Sequence, residues 1–349
     1  MTPLTRLLGT DVPIVLGPFG GVSSVELTAM VSELGGLGSY GLYGYDGARI
    51  AEVAARLREH TQRPIALNLW LPRSDEVEPA DVDLTPSPGA AELLAQMDVH
   101  PEPPQRFLPS FDEQLTAALD ARPSVLSFVY GVPGHEVVER AHAAGAAVVA
   151  TATTVPEAVA LEAGGVDAIV ASGAEAAGHR VSFLHAPSAA LVGTFALVPQ
   201  VADAVRVPVL AAGGIADRRG VAAAFALGAQ GVVVGTAFLR TRQSAVAESY
   251  RRAILHAAAH DTVLTSAMSG RLSRGLPNRA VRVLEAERVL PFPAQNWLTG
   301  QFRAEAARRD QADLLSLWVG QAARLAVFAE APDLFRELVA GLPAATAGR

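Results

Sequence analysis

The sequence predicts a (β/α)8 barrel of the TIM-barrel class with an added, mainly helical lid domain. Eight short apolar, β-branched runs alternate with longer stretches rich in alanine and leucine. Such alternation implies parallel strands, and eight β-α steps are the number that closes a barrel. The length of 349 residues accommodates a barrel of roughly 250 residues and one further domain. A doubly wound open sheet is the alternative architecture.

The strands and helices can be placed in order along the chain. The predicted strands are Val12–Leu16, Leu37–Tyr40, Ile65–Leu69, Val125–Phe128, Ala147–Ala150, Ala168–Val170, Val209–Ala211 and Gly231–Val234. The predicted helices are Ser23–Glu33, Asp46–Glu59, Phe111–Ala121, His135–Ala143, Pro156–Glu162, Ser188–Ala204 and Asp217–Leu227. We expect N-caps at Ser23, Asp46 and Asp217, because their side-chain oxygens can accept hydrogen bonds from first-turn amides. Helix ends are expected at Gly35, Gly145, Gly164 and Gly228.

The chain divides into three predicted segments: a barrel domain over residues 1–240, a helical lid over 241–320 and a C-terminal segment over 321–349. Within the barrel domain, Leu71–Ser110 is rich in proline and acidic residues. We expect it to be a long covering loop with one short helix near Ala90–Gln96. Gln321–Val339 is expected to form a helix that packs back on the barrel, and Ala345–Arg349 to be frayed.

Composition excludes several classes of function. The formal net charge is −7 and the basic residues are scattered, which argues against a nucleic-acid partner. The chain has no cysteine, so disulfides and thiolate chemistry are excluded. Ala186–Ala202 is long and uncharged, but Pro187 and Pro199 argue against a membrane span. No signal-peptide pattern is visible, so we expect a cytoplasmic protein that acts on a small molecule, with a homodimer as one option.

Two glycine turns follow the last two predicted strands. Gly213-Gly214 ends the first of these strands, and Gly235-Thr236 ends the second. In barrels these two loops commonly hold a phosphate on backbone amides, and glycine permits the close approach. Either pair alone would be explained as a tight turn. Together, on consecutive strands, they favour a cofactor that carries a phosphate.

Two further strand ends should lie at the same rim of the barrel. Gly17–Gly21 follows the first predicted strand, and Asn68 closes the third. Their backbone and amide groups suit a ring system that carries both donors and acceptors. For Asn68 alone, an amide that satisfies loop backbone is an equally good explanation.

Residues 171–179 carry the strongest candidate for a catalytic side chain. They read Ala-Ser-Gly-Ala-Glu-Ala-Ala-Gly-His and directly follow the sixth predicted strand. The small residues let a ligand approach the backbone, and His179 can exchange a proton near neutral pH. The histidines form no His-Glu-x-x-His pattern, so no metal site is expected. A histidine at the carboxyl end of a barrel strand is well placed for acid–base catalysis.

A polar turn in the lid, Ser269–Asn278, is a further candidate for the rim. It could bring Ser269 over the cofactor, and its arginines Arg271 and Arg274 could bind an anion or hold the lid to the barrel. From local sequence alone, an ordinary surface turn explains it equally well.

Taken in order, these residues resemble the nitronate monooxygenase family, class I. The similarity rests on motifs spread along most of the chain: Gly17–Gly21, Gly35–Gly38, Asn68 with Pro72, Glu175–His179, Ala211–Ala237, Ser269–Arg279, Pro293–Asn296 and Leu317–Gln321. The resemblance implies non-covalently bound FMN in a barrel with a helical lid. It also implies oxidation of alkyl nitronates with O2 to a carbonyl compound and nitrite. Where the family pattern usually has Met, Gln and Gly, this chain has Phe19, Ser172 and Ala177.

The resemblance also implies roles for individual residues. The catalytic candidates are His179, which matches the family's base for neutral nitroalkanes, and Ser269, which matches a serine near the flavin. The predicted FMN contacts are Pro18, Phe19, Gly20, Asn68, Ser172, Ala177, Gly178, Gly213, Gly214, Gly235 and Thr236. Three alternatives stay open: an FMN-dependent NAD(P)H enoyl reductase, a flavoenzyme with a pathway-specific substrate, and a non-catalytic FMN-binding protein.

Overall fold

The computed structural model describes residues 1–344, which contain eleven β-strands. They are β1 (Ile14–Leu16), β2 (Gly38–Gly41), β3 (Ile65–Trp70), β4 (Val125–Val129), β5 (Ala147–Ala152), β6 (Ala168–Ser172), β7 (Gly178–His179), β8 (Val209–Ala212), β9 (Gly231–Val234), β10 (Val263–Thr265) and β11 (Ser273–Gly275). All eight predicted barrel strands are confirmed, each within two residues at either end.

The same residues contain fourteen α-helices. They are α1 (Pro3–Leu8), α2 (Val25–Glu33), α3 (Gly47–His60), α4 (Pro88–Gln96), α5 (Phe111–Asp120), α6 (His135–Ala143), α7 (Val155–Ala163), α8 (Thr194–Ala204), α9 (Arg218–Ala226), α10 (Thr236–Leu239), α11 (Glu248–His256), α12 (Arg279–Glu285), α13 (Ala294–Arg308) and α14 (Ala331–Val339). The helix predicted from Ser188 begins later, at Thr194, after a separate 3₁₀ turn. In the described part of the chain, no helix has the length and apolarity needed to cross a membrane.

Strands β1–β6, β8 and β9 form one parallel sheet that curls into a nearly closed barrel. The strand order is β1-β9-β8-β6-β5-β4-β3-β2. The seam between the first and last of these strands closes through a parallel bridge between Val15 and Leu37. Across it, the Leu37 N–H donates to the Ile14 carbonyl at 2.9 Å. The predicted (β/α)8 barrel is therefore confirmed and the open sheet is excluded, because β1 and β2 meet at this seam.

Helix α1, which the sequence analysis did not assign, plugs the amino-terminal end of the barrel. Its Leu4 and Leu8 pack on a layer of side chains from the barrel strands: Val15, Leu37, Ala66, Val125, Val149, Ala168 and Leu210. Gly231 permits this approach, since a Cβ there would lie 2.7 Å from Leu4 Cδ2. Because α1 fills the amino-terminal end, a binding site has room only at the carboxyl end of the barrel.

A small three-stranded sheet, which the sequence analysis did not predict, lies between the barrel and the lid. Strands β7, β10 and β11 are antiparallel neighbours in the order β10-β11-β7. Because β7 belongs to the loop after β6, its pairing with β11 joins a barrel loop directly to the lid. The short helix expected near Ala90–Gln96 is confirmed as α4, and it packs against α12 and α13 of the lid. The domain division at residue 240 stays a prediction.

Two of the three predicted N-caps are confirmed. Asp46 and Asp217 each accept first-turn amides at the starts of α3 and α9. The cap predicted at Ser23 is wrong by one residue, because Ser24 caps α2. The Ser23 hydroxyl instead accepts the Gly41 N–H at 2.9 Å. This long-range hydrogen bond occupies Ser23 and leaves the capping position to Ser24.

The C-terminal helix is shorter than predicted. It spans α14 alone and packs against α2 and α9. Residues 321–330 form no α-helix, and the Gln321 N–H donates to the Glu175 carbonyl at 3.0 Å instead of to a helical partner. The fraying expected for Ala345–Arg349 lies outside the described residues.

Candidate active site

A cavity of about 400 Å³ lies at the carboxyl ends of the barrel strands, beneath the lid. Loops after β1, β6, β8 and β9 contribute to its wall, as does helix α13. Every predicted cofactor contact lines it: Pro18, Phe19, Gly20, Asn68, Ser172, Ala177, Gly178, Gly213, Gly214, Gly235 and Thr236. The fold therefore brings together, in one cavity, residues that lie on or after five different barrel strands.

The glycine turns after β8 and β9 form an open cradle in this wall. Gly213 and Gly214 have φ angles of +98° and +76°, which residues with a side chain rarely adopt. A Cβ on Gly235 would meet only the Phe19 ring, at 3.6 Å. Helix α10 begins at the next residue, Thr236. Bare backbone at a helix start is the arrangement that suits a phosphate.

Asn68 presents one free acceptor to the cavity. Its Nδ2 donates to the Ser127 carbonyl at 3.2 Å and to Ser127 Oγ at 3.0 Å. Within residues 1–344, its Oδ1 makes no hydrogen bond. The amide therefore satisfies neighbouring backbone and still leaves an acceptor for a ligand.

Two buried arginines hold the loop between β6 and β7 from outside the cavity. Arg180 Nη1 donates to the Gly173 carbonyl at 2.8 Å, and Arg274 Nε donates to the Ala174 carbonyl at 2.8 Å. Arg274 belongs to β11 of the lid, so its hydrogen bond connects the lid to the barrel. This connection is one of the two roles predicted for Arg274, the other being the binding of an anion. The loop that carries His179 is thus fixed by charge-assisted hydrogen bonds.

His179 lies in β7, directly after this loop, and lines the cavity. Its ring centroid lies 5.0 Å from that of Trp70 and 5.4 Å from that of Trp318. Burial, helped by the positive charges of Arg271 and Arg303, lowers the pKa of His179 from 6.5 to about 3. At neutral pH the imidazole is uncharged and can accept a proton.

Ser269 lies behind His179 and does not line the cavity. Its side chain is fully buried, and its Oγ lies 2.8 Å from His179 Nε2. The same hydroxyl donates to the Arg271 carbonyl at 3.1 Å. The structure thus brings the two catalytic candidates into contact, with Ser269 placed to orient the imidazole. In the described residues, no cluster of three or more His, Asp or Glu side chains could hold a metal ion.

An aromatic wall beside His179 was missed by the sequence analysis. The rings of Tyr43 and Trp70 lie 4.3 Å apart, and Phe292 stacks on Trp70 at 6.0 Å. Trp70 could have been found, because it lies two positions after Asn68 and so faces the same side of β3. Tyr43 and Phe292 lie in loops, where no periodicity points to them.

Arg271 connects the predicted covering loop to the lid. Its Nη2 donates to Asp75 at 2.8 Å and to Glu76 at 3.0 Å. Its guanidinium carbon lies 3.8 Å from the centroid of the Phe292 ring and 4.6 Å from that of Tyr130. The charge of Arg271 is therefore balanced by two carboxylates while its planar face covers the aromatic wall.

Helix α13 adds two polar residues to the cavity wall, Asn296 and Arg303. Asn296 Nδ2 donates to Tyr43 Oη at 3.1 Å, and Arg303 Nη2 donates to Asn296 Oδ1 at 2.8 Å. Their spacing of two helical turns places them on one face of the helix. Burial lowers the pKa of Arg303 to about 10, so it stays cationic at neutral pH.

The sequence matches the family model described as nitronate monooxygenase over residues 1–341. It is 36% identical over 344 residues to a probable nitronate monooxygenase of Staphylococcus aureus (strain Newman), covering 96% of each chain. The fold is similar to that of nitroalkane oxidase from Streptomyces ansochromogenes, with a TM-score of 0.88, 34% identity and coverage of 99% of this chain and 98% of that one. FabK from Thermotoga maritima is also similar, with a TM-score of 0.76, 30% identity and coverage of 97% and 95%. The chain therefore belongs to the nitronate monooxygenase family and is a flavin-dependent oxidoreductase.

Proposed function

We propose that this protein binds FMN and uses O2 to oxidise alkyl nitronates to a carbonyl compound and nitrite. The observation that carries the proposal is His179, an uncharged imidazole on the wall of the cavity that also contains the glycine cradle. Each O2 consumed would convert two nitronate anions into two carbonyl compounds and two nitrite ions. Atoms and electrons then balance without an external reductant.

The residues present fit FMN. Gly213, Gly214 and Gly235 would hold the phosphate, because backbone amides can reach it where no Cβ intervenes. At Gly178, apart from the two adjoining residues, no atom of the described residues lies within 4 Å of the position that a Cβ would take, so the loop leaves room for a flat ring. Asn68 Oδ1 would accept a hydrogen bond from a ring N–H. When bound, FMN would provide the redox chemistry, which is the uptake of electrons and the reaction with O2.

The three departures from the family pattern leave this cradle intact. Phe19 packs beside Gly235 without entering the turn. The Ser172 carbonyl is held by Arg180 Nη2 at 3.2 Å, so the short side chain does not loosen the end of β6. Ala177 contributes backbone next to Gly178. Because the cradle is built from backbone, changes of side chain nearby do not remove it.

With a neutral nitroalkane, His179 would take the proton from the carbon that carries the nitro group. A pKa of about 3 makes the free imidazole a weak base. The transfer becomes favourable when the anion formed lies against the imidazolium, since a nearby negative charge raises the pKa of histidine. The surrounding aromatic side chains make this end of the cavity less polar than water, which strengthens the attraction.

The test begins with the absorbance spectrum of the purified protein. We expect flavin bands, release of FMN on denaturation, and O2 consumption with nitrite formation when an alkyl nitronate is added. Anaerobic mixing separates the alternatives: bleaching of the flavin by nitronate and not by NADPH supports the proposal. Bleaching by NADPH alone would overturn it in favour of the enoyl reductase alternative, and bleaching by neither would favour a non-catalytic protein.

A further inference from the structure

We propose that Arg303 makes the aromatic end of the cavity an anion-binding subsite that takes the charged nitro group of the substrate. This inference rests on the proposed function and deepens it, because it assigns the residue that selects the anionic form. The neutral His179 cannot attract an anion through charge, so another group in the cavity must do so. Arg303 is the cation on the cavity wall without an acidic partner in residues 1–344.

The hydrogen bonds of Arg303 go to neutral groups. Nη1 donates to Ser316 Oγ at 2.9 Å, and Nη2 donates to the Asn296 carbonyl at 2.9 Å and to its Oδ1 at 2.8 Å. Nε is enclosed and makes no hydrogen bond within the described residues. A guanidinium has five N–H groups, so this one is incompletely satisfied. A cation in that state, partly buried and with its Nε enclosed, is costly unless a ligand supplies the missing charge.

Comparison with Arg271 shows what is unusual about Arg303. Both guanidiniums lower the pKa of His179, so both act on the same end of the cavity. Arg271 is paired with Asp75 and Glu76, whereas Arg303 has no carboxylate of residues 1–344 within ion-pair distance. The uncompensated positive charge near His179 is therefore that of Arg303.

The surroundings specify the kind of anion. Tyr43, Trp70 and Trp318 line the same end of the cavity, and their flat rings suit the organic part of a small substrate. A nitronate carries its charge on two oxygens in one plane, the shape that guanidinium groups recognise. Arg303 would thus attract a preformed nitronate. It would also stabilise the anion that forms when His179 deprotonates a neutral nitroalkane.

The test compares Arg303→Met with Arg303→Lys in the holoenzyme, with Arg308→Met on the exposed face of α13 as the matched control. We expect Arg303→Met to raise the KM for an alkyl nitronate about 10- to 100-fold, the loss typical of one charge-assisted hydrogen bond. Arg303→Lys should recover most of this loss, since it restores the charge. If Arg303 only holds α13 in place, both variants should lower kcat at unchanged KM, and Arg303→Lys should recover nothing. That result would overturn the proposal.

A second readout does not depend on turnover. Nitrate, a planar anion, should bind the wild-type holoenzyme in the cavity and perturb the flavin spectrum. Arg303→Met should weaken the nitrate Kd about 10-fold or more, and Arg308→Met should not change it. Equal nitrate affinity in wild type and Arg303→Met would overturn the subsite. If the wild type binds nitrate through Arg303 but oxidises no nitronate, the subsite stands and the proposed function fails.

If Arg303→Met does not fold, the comparison of wild type with Arg303→Lys still decides. An anion subsite predicts that Arg303→Lys binds nitrate within about 10-fold of wild type, with added chloride competing in both. Loss of nitrate binding in a folded, flavin-loaded Arg303→Lys would show that charge at this position is not what holds the anion.

Discussion

The side chains of His179 and Ser269 meet at 2.8 Å, between the imidazole Nε2 and the serine Oγ. The Ser269 hydroxyl has one hydrogen and lies 3.1 Å from the Arg271 carbonyl, so we infer that it donates there and accepts from Nε2–H. We infer that the neutral imidazole then carries its lone pair on Nδ1, which makes no hydrogen bond within residues 1–344. One buried hydroxyl therefore sets the tautomer of the proposed base.

Replacing Ser269 tests this role. Ser269→Ala removes the acceptor for Nε2–H, so the tautomer is no longer selected. We expect turnover of neutral nitroalkanes to fall about 10-fold, as for the loss of one hydrogen bond, while preformed nitronates are oxidised almost normally. Ser266→Ala is the control, because it removes a nearby hydroxyl that makes no side-chain hydrogen bond within residues 1–344. Equal losses on both substrates would show that Ser269 does not act through His179.

Replacing His179 tests the base itself. His179→Asn should retain bound flavin, because the cradle is built from backbone. It should lose turnover of neutral nitroalkanes on the order of 10²–10⁴-fold, the usual contribution of a general base. Oxidation of preformed nitronates should fall far less. The exposed His185→Asn is the control, and unchanged turnover in His179→Asn would remove this residue from the mechanism.

The low pKa of His179 predicts a pH dependence of stability. Burial keeps the native pKa at about 3, whereas a histidine in the unfolded chain titrates near 6.5. Between these values the unfolded state binds a proton that the native state does not. The free energy of unfolding should therefore fall as pH drops below about 6.5, by at most about 1.4 kcal/mol per pH unit from this residue.

Urea unfolding of the holoenzyme at about pH 7 and about pH 5 measures this effect. The decrease in stability between the two conditions should be smaller in His179→Asn than in wild type. The same decrease in both proteins would mean that His179 does not titrate abnormally. His185→Asn, a substitution of an exposed histidine, is the control.

Close packing of α2 on β2 predicts a large effect at Gly38. A Cβ there would lie 1.9 Å from the Thr28 carbonyl oxygen. Because this oxygen belongs to the backbone of α2, the clash can be relieved only by moving the helix away from the strand. Gly38→Ala should lower the free energy of unfolding by about 3 kcal/mol or more. Gly134→Ala is the matched control, because among residues 1–344 only the two adjoining residues come within 4 Å of its Cβ position. Equal unfolding midpoints for the two variants would contradict the packing described.

Local sequence was sufficient for the barrel and for the cradle. Strand runs, helix caps and glycine turns are set by neighbours within a few residues, so all eight barrel strands and the turns at Gly213-Gly214 and Gly235-Thr236 could be predicted. The same locality explains the errors. Local sequence could not decide which of the adjacent residues Ser23 and Ser24 caps α2. It could not predict β7 either, because this two-residue strand is defined only by its pairing with β11.

The chemistry of the site was decided by tertiary structure. The sequence alone singled out His179 and Ser269 but could not show that they touch, since one ends a barrel loop and the other lies in the lid. It contained no sign that, within the described residues, Arg303 lacks a carboxylate partner while Arg271 has two. Nor did it show that burial keeps the imidazole of His179 uncharged. Hydrogen bonds, desolvation and charge balance depend on distances between segments far apart in the chain. Only the folded protein sets those distances.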